Sequence, residues 1–274
     1  MQYFPASPME MAQSVWRNRS LIYQLTKREV LGRYRGSIAG LGWSLLHPLL
    51  MLGIYTFVFS QVFHARWPGL SNHQATTDFA LVLFVGLIVH GIFAECVNRA
   101  PGLILSNANY VKKVVFPLEI LPCVAMGSAI FHGSVSVLVL LCAQLLLHET
   151  VPWTAVLFPF ALLPLLCATI GAAWFLSALG VYIRDIVQIT GIVTTILLFI
   201  SPVFFPLSAV PSQFQSWLKL NPLTFVIEAS RTSLIFGQIF DWIGWILYLI
   251  LSLAVAWAGF WWFQKTRRGF ADVI

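Results

Sequence analysis

Apolar and polar residues alternate along this chain in long blocks, not with the short periods of amphipathic elements. Apolar runs cover about 41–63, 79–97, 120–147, 153–183, 186–205 and 242–263, uncharged except for Glu95 near the end of the second, and polar or basic stretches separate them. A helix of 23 residues rises about 34 Å, enough for a hydrocarbon layer of roughly 30 Å. Each run is therefore predicted to cross a membrane as a helix, which gives an all-α polytopic fold with six transmembrane helices. Pro48 sits near the start of the first span, where a missing amide donor is tolerated or kinks the helix. The long fourth run holds Pro159 and Pro164 and is expected to bend or tilt.

The stretches between the runs are informative in their own right. Residues 1–36 form a polar, basic arm, with a helix expected from about Val15 to Arg35. Leu21, Ile22 and Leu25 cluster on one face, but Glu29 falls on that same face while Val30 and Leu31 do not. The expectation of an interfacial helix thus rests on basic density and position more than on amphipathic pattern. The segment Asn98–Leu118 (NRAPGLILSNANYVKKVVFPL) is too polar to span and too apolar for a free linker, and Pro101 and Pro117 bracket a short helix in it. Arg184-Asp185 marks a turn between spans 4 and 5, because such a pair is costly at the bilayer midplane and cheap in a loop. Residues 206–240 are apolar yet broken by Pro206, Pro211 and Pro222, with Lys219, Glu228 and Arg231 between. Two short re-entrant external helices fit that pattern better than one span.

Composition agrees with the block pattern and excludes a soluble domain. Hydrophobic residues make up 59% of the 274 and charged residues 9%, against about 25% charged in ordinary globular chains, and mean hydropathy is +0.83. The net charge of +6 does not indicate a nucleic-acid partner, because the basic residues lie beside apolar runs and form no stripe with interleaved aromatics. With both termini in the cytoplasm, Arg17, Arg19, Lys27, Arg28, Arg33, Arg35, Arg99, Lys112, Lys113, Arg184, Lys265, Arg267 and Arg268 all fall inside. Only Arg66, Lys219 and Arg231 are left outside, the asymmetry that the positive-inside rule requires. Trp153, Trp242, Trp245, Trp261 and Trp262 fall near span ends, as an aromatic belt does. No cleavable signal peptide is expected, since the first 35 residues lack a sustained apolar core.

Candidate chemistry is notable for what is missing. The nearest match to a phosphate-binding GxxxxGK[ST] loop is Gly259–Thr266, but Gln264 stands where the second glycine is needed, so no ATP hydrolysis is expected from this chain alone. HExxH, zinc-cluster and GxSxG patterns do not occur, and the four cysteines (Cys96, Cys123, Cys142, Cys167) and six histidines lack ligand spacing. Structural roles are expected for them, with no metal. An ion-coupled transporter needs carboxylates deep in its spans, whereas Glu95, Glu119 and Asp185 lie near predicted cytoplasmic boundaries and Asp78, Glu149 and Asp241 near external ones. Glu228, inside LTFVIEASR, is expected to pair with Arg231 at i+3. Aromatic residues abound in the spans, and Tyr55, Phe59, Phe84 and Phe199 are candidate channel-lining groups. Such faces stack on sugar rings as well as on lipid tails, and both readings stay open here.

Five stretches carry a family resemblance by their order and spacing: RYRGSIAGLGW (Arg33–Trp43), KKVVFPLEILP (Lys112–Pro122), YIRDI (Tyr182–Ile186), LNPLTFVIEASR (Leu220–Arg231) and the terminal GFADVI. Together they resemble the membrane subunit of an ABC-2 type exporter of the polysaccharide/O-antigen branch, over nearly the whole chain. Ala39-Gly40 stands where that family usually has Leu-Gly, and His47 where it often has Asn. The resemblance implies a transmembrane domain over 37–274 that forms a homodimer, joined by two copies of a separate ATPase subunit that binds ATP and Mg, with no cofactor on this chain. The complex would export an undecaprenyl-pyrophosphate-linked polysaccharide across the bacterial inner membrane. On this resemblance, residues about 99–113 form a coupling helix, with Arg99, Asn109, Tyr110, Lys112 and Lys113 contacting the ATPase and Arg184 and Asp185 as a second contact. Residues about 206–240 form external gate helices carrying Pro222, Glu228 and Arg231. Lys27, Arg28, Arg33, Arg35, Gly40 and Trp43 form a substrate-intake region at the membrane lipids, where guanidinium and ammonium groups suit a diphosphate. An ABC-2 exporter of teichoic acid, lipid or drug is the alternative, followed by an ion-coupled secondary transporter.

The charge asymmetry predicts that reporter fusions at either end of the chain show cytoplasmic activity; a periplasmic C-terminus would overturn the count of six spans.

Overall fold

The computed structural model describes residues 5–63, 67, 75–112 and 116–274, without the side chains of 60, 61, 75–77 and 112. Arg66, His64, His73 and Lys113 lie outside the described residues. Within them the chain is helical, and no strand occurs. The arm holds α1 (Pro8–Arg17) and α2 (Arg19–Arg33). The bundle holds α3 (Gly42–Thr56, continued by a wide turn over Phe57–Val62), α4 (Ala75–Arg99), α7 (Ile120–His148), α8 (Phe158–Tyr182), α9 (Ile186–Ile200) and α12 (Trp242–Thr266). Shorter pieces are α5 (Leu103–Ser106), α6 (Ala108–Lys112), α10 (Ser212–Leu220), α11 (Pro222–Leu234) and α13 (Phe270–Val273).

Five helical segments are long and apolar enough to cross a membrane: Gly42–Phe59, Asp78–Ser106, Ile120–His148, Trp153–Tyr182 and Trp242–Val273. The fifth apolar run of the sequence differs from its expected length. It ends at Ile200, so α9 has 15 residues and rises about 22 Å, not the full reach of 186–205. Proline explains the stop. Pro202 drives Ser201 out of the helical region, and Ser201 is extended with φ −76° and ψ 153°. The arm also differs from a single helix over 15–35. It starts earlier, where the Ser7 hydroxyl caps the amide of Glu10 and Pro8 opens the first turn, and it breaks at Asn18.

Helix α4 is the central post. It packs against α3, α7, α8, α9 and α11, and 78% of its apolar window is buried, against 11–39% in the other long helices. A helix apolar all round belongs inside such a bundle. Helices α8 and α12 approach most closely. A Cβ on Gly259 would strike the backbone of Gly171, and one on Gly171 would lie 2.5 Å from the Val255 carbonyl oxygen. Membrane helices associate through such small-residue contacts, because lipid tails offer no hydrophobic drive between apolar surfaces. The same contact disposes of the imperfect phosphate-loop match, since Gly259 is buried mid-helix against its neighbour.

The opposite end from the arm is organised by Arg231, which is fully buried. Its Nε donates to the Val82 carbonyl at 3.1 Å, Nη2 to the Val203 carbonyl at 2.8 Å and Nη1 to Glu228 at 2.9 Å. Its guanidinium carbon lies 4.5 Å from the centre of the Trp67 ring. Burial lowers the guanidinium to about 10, with Glu228 acting in the opposite sense, so it stays cationic at neutral pH. The Glu228–Arg231 pair at i+3 is therefore present, and it is one arm of a clamp joining α11, α4 and the link after α9.

Replacing Arg231 with Met leaves two carbonyls without a donor and is expected to cost about 3–5 kcal/mol. Thermal unfolding in detergent measures this; an unchanged midpoint would remove the clamp from the stability of the fold.

Candidate functional site

The basic junction between arm and bundle builds two neighbouring cavities. Gly36 and Gly40 adopt φ +87° and +52°, a region open to glycine, and turn the chain from α2 into α3. A Cβ at Gly32, Gly36 or Gly40 would meet no atom within 4 Å, so these glycines serve the turn and not close helix packing. On one side of the turn lies a cavity of about 650 Å³ lined by Gln24, Lys27, Arg28, Leu31, Gly32, Tyr34, Arg35, Gly40 and Leu41. Its lining contains three cations and no carboxylate. On the other side lies a cavity of about 590 Å³ between α3, α4 and α7, whose walls include Arg33, Tyr34, Trp43, His47, Tyr55 and Phe84. Of the intake residues, Lys27, Arg28, Arg35 and Gly40 thus share the basic cavity, and Arg33 and Trp43 line the aromatic one.

Arg33 is not a free cation. It pairs with Glu95 of α4 at 2.8 Å, and the same carboxylate accepts from Nδ1 of His132 of α7 at 3.0 Å. Arg99, one turn beyond Glu95, pairs with Glu29 of α2 at 2.5 Å and lies 3.8 Å from Glu95. Two arm residues therefore meet opposite charges on the end of α4. The sequence carried a trace of this, because Glu29 breaks the apolar face of the arm; that face meets Arg99. The Glu95–Arg33–His132 cluster left no such trace, since nothing in the local spacing links residues 33, 95 and 132.

The 99–113 segment is not one helix. It folds as a 3₁₀ turn (Ala100–Gly102) followed by α5 and α6. The break falls at Asn107, whose side-chain amide bonds the Leu103 carbonyl while the Ser106 hydroxyl bonds that of Gly102. Such local side-chain bonds compete with helix continuation. Of the residues expected to couple to a partner, Arg99 turns inward to the arm, Asn109 is exposed, and Tyr110 stacks on Phe116 with ring centres 4.2 Å apart. Lys112 is at the end of α6. Arg28, which lines the basic cavity, donates from Nη2 to the Tyr110 hydroxyl at 3.0 Å. Arg184 and Asp185 are both exposed in the turn before α9. That turn is close by, because the 3₁₀ turn packs on α8 where Gly180 meets the Pro101 backbone.

A second buried junction holds the chain ends at this face. Glu119 accepts from Arg267 at 2.6 Å and from the Ser14 hydroxyl at 3.0 Å, and its carbonyl accepts from the Trp174 indole at 2.8 Å. Phe270 of the GFADVI tail is fully buried.

At the Arg231 end, Pro222 opens α11 behind the Asn221 cap. Phe59 lies 5.3 Å from Phe79 and 6.5 Å from Phe204, and Phe204 lies 5.6 Å from Phe199. Phe84 is buried, whereas Phe199 is 63% exposed on the outer face of α9. The four channel candidates are therefore split, with Tyr55 and Phe84 on the aromatic cavity and Phe59 and Phe199 in the ring chain. Among the described residues no cluster of metal-ligating side chains occurs, and the four cysteines are unpaired.

The model of the ABC-2 type transporter membrane family matches residues 20–235. The chain belongs to that family. It is similar to the O-antigen export system permease protein RfbA of Myxococcus xanthus, 26% identical over 97% of this chain and 100% of that protein. A protein of the same name from Klebsiella pneumoniae is 24% identical over 93% and 95%. The polysialic acid transport protein KpsM of Escherichia coli is 28% identical over 77% and 80%. The matched region of the family model begins in α2 and ends at the close of α11, so it contains both cavities, the α5–α6 segment and the Arg231 clamp. Family membership makes this a transport permease and not an enzyme in its own right.

Exchanging Glu95 for Gln removes the acceptor that holds Arg33 and His132. A loss of about 1 kcal/mol raises the detached population of the α2 end roughly fivefold. Limited trypsin cleavage after Arg33 and Arg35 is expected to accelerate accordingly, and an unaltered cleavage rate would mean that the pair does not hold the arm.

Proposed function

We propose that this chain is the membrane subunit of an ATP-driven exporter of a lipid-linked polysaccharide in the bacterial inner membrane. In this reading it works as a homodimer with two copies of an ATPase, with six spans and both termini cytoplasmic. The short α9 serves as the fifth span, and the strongly apolar, exposed faces of α3 and α9 suit a second copy or lipid. The observation that carries the reading is the basic cavity. Lys27, Arg28 and Arg35 converge without a carboxylate, where the arm meets the first span, in a chain whose relatives are named as O-antigen and polysialic acid permeases. Paired cations of this kind are suited to a diphosphate, which Arg engages with two parallel hydrogen bonds.

The same reading gives the mechanism its parts. The ATPase binds ATP and Mg, and this chain supplies the contact surfaces: α5–α6 with Asn109, Tyr110 and Lys112, then Lys113 beyond the described residues of that segment, and the Arg184-Asp185 turn. Arg28 belongs to both sites. A diphosphate that draws its guanidinium away from the Tyr110 hydroxyl changes the restraint on α6, so headgroup occupancy reaches the ATPase surface through one side chain. Helices α10 and α11 gate the external end, with Arg231 as the pivot.

The test uses the chain and its ATPase reconstituted in lipid nanodiscs, with undecaprenyl diphosphate as probe. Changing Lys27, Arg28 and Arg35 together to Gln is expected to weaken binding at least tenfold. Unchanged affinity would overturn the headgroup role, and robust ATP turnover by this chain without a partner would overturn the division of labour.

A further inference from the structure

We infer that the aromatic cavity between α3, α4 and α7 is a sugar subsite, taking a neutral pyranose ring borne by the diphosphate in the basic cavity. The inference rests on the diphosphate reading of that cavity. Three observations carry it.

The first is adjacency. Tyr34 lines both cavities, and its chain neighbours divide between them, Arg33 to the aromatic cavity and Arg35 to the basic one. A ligand whose charged group sits among Lys27, Arg28 and Arg35 has its next group at the Tyr34 wall.

The second is the chemistry of the lining. Tyr34, Trp43, Tyr55 and Phe84 present aromatic faces, and His47, Ser44 and Ser136 supply polar atoms. The Ser44 and Ser136 hydroxyls donate to backbone carbonyls. Among the described residues, however, no protein group engages the Tyr34 and Tyr55 hydroxyls, the Trp43 indole N–H or the His47 ring. A sugar ring combines apolar C–H faces with equatorial hydroxyls and satisfies both kinds of surface at once. A polyprenyl tail would cover the aromatic faces and leave the Tyr34 and Tyr55 hydroxyls, the Trp43 indole N–H and the His47 ring without a partner, at a cost for each. At about 590 Å³ the cavity lies within the roughly 300–1,000 Å³ usual for small-molecule sites.

The third is charge. Arg33 is the cation of this lining, and Glu95 neutralises it at 2.8 Å while also accepting from His132. The basic cavity has no such counter-charge. Two compartments of similar size thus differ in the way a sugar diphosphate differs along its length: an uncompensated cationic group faces the diphosphate, and a charge-balanced aromatic wall faces the ring. An acidic sugar would place its carboxylate beside Glu95, so a neutral ring is preferred.

The decisive measurement is binding to the reconstituted complex of this chain and its ATPase. The probes are undecaprenyl diphosphate, bare or bearing one N-acetylglucosamine, galactose or glucuronate. At least one neutral-sugar probe is expected to bind tenfold or more tightly than the bare lipid, with glucuronate conferring no such gain. Tyr55→Phe and His47→Ala should each cut the gain at least threefold and leave bare-lipid binding unchanged; His47 is exposed, so its variant tests the site without disturbing the core. Equal binding of the bare and both neutral-sugar probes would overturn the sugar subsite and leave the diphosphate reading standing. A glucuronate gain equal to the neutral one would overturn the charge argument. Bare-lipid binding that survives loss of Lys27, Arg28 and Arg35 would instead overturn the diphosphate reading beneath it.

Discussion

An ionised side chain held away from water must find its counter-charge inside the protein, and in this chain that demand joins elements far apart in sequence. Glu95 and Arg99 stand on the last turns of α4, the most buried helix, and their partners Arg33 and Glu29 both come from the arm. Glu119, at the head of α7, takes Arg267 from the far end of the chain and Ser14 from α1. At the other end Arg231 is satisfied by two carbonyls and Glu228. Arg231 and the Glu119–Arg267 pair are buried and costly to leave alone, which ties the tail and the short helices to the bundle, while the partly exposed pairs of Glu95 and Arg99 restrain the arm more weakly. Apolar packing between α8 and α12 sets distances; the ion pairs set which pieces belong together.

The helical blocks were legible because their signal is one of length and composition, which needs no tertiary information. The failures have a common cause. Pro202 lies inside the apolar run 186–205, and its effect on the preceding residue is invisible to a hydropathy pattern, so α9 stops at Ile200, five residues early. In the 99–113 segment the side chains of Ser106 and Asn107 interrupt the single coupling helix that the family resemblance implied. Both are consequences of single residues acting on their own backbone, below the resolution of a hydropathy pattern.

The site shows the same division. Basic density pointed to the arm, and Lys27, Arg28, Arg35 and Gly40 do share a cavity. Pattern alone could not separate Arg33 from them, since the residue that neutralises it lies 62 positions away on another helix. Nor could it show that Arg99 faces the arm while Asn109 faces outward. Glu29 was the one cross-element contact with a visible signature: a charge on an otherwise apolar face is a demand for a partner, and here the partner is Arg99.

The arm gains its meaning from how few residues separate its tasks. Within one turn of helix, Arg28 touches Tyr110 of α6 and lines the basic cavity, while Glu29 grips the end of α4. A helix anchored at Glu29 and Arg33 cannot move Arg28 far by rigid displacement, so any response of Arg28 to an anion has to be made by its side chain. The Tyr110 hydroxyl is then the group that loses or regains a hydrogen bond, an exposed one and so worth on the order of 1 kcal/mol or less. On the proposed reading, the anchoring pairs convert the arrival of an anion in the cavity into a local event at α5–α6.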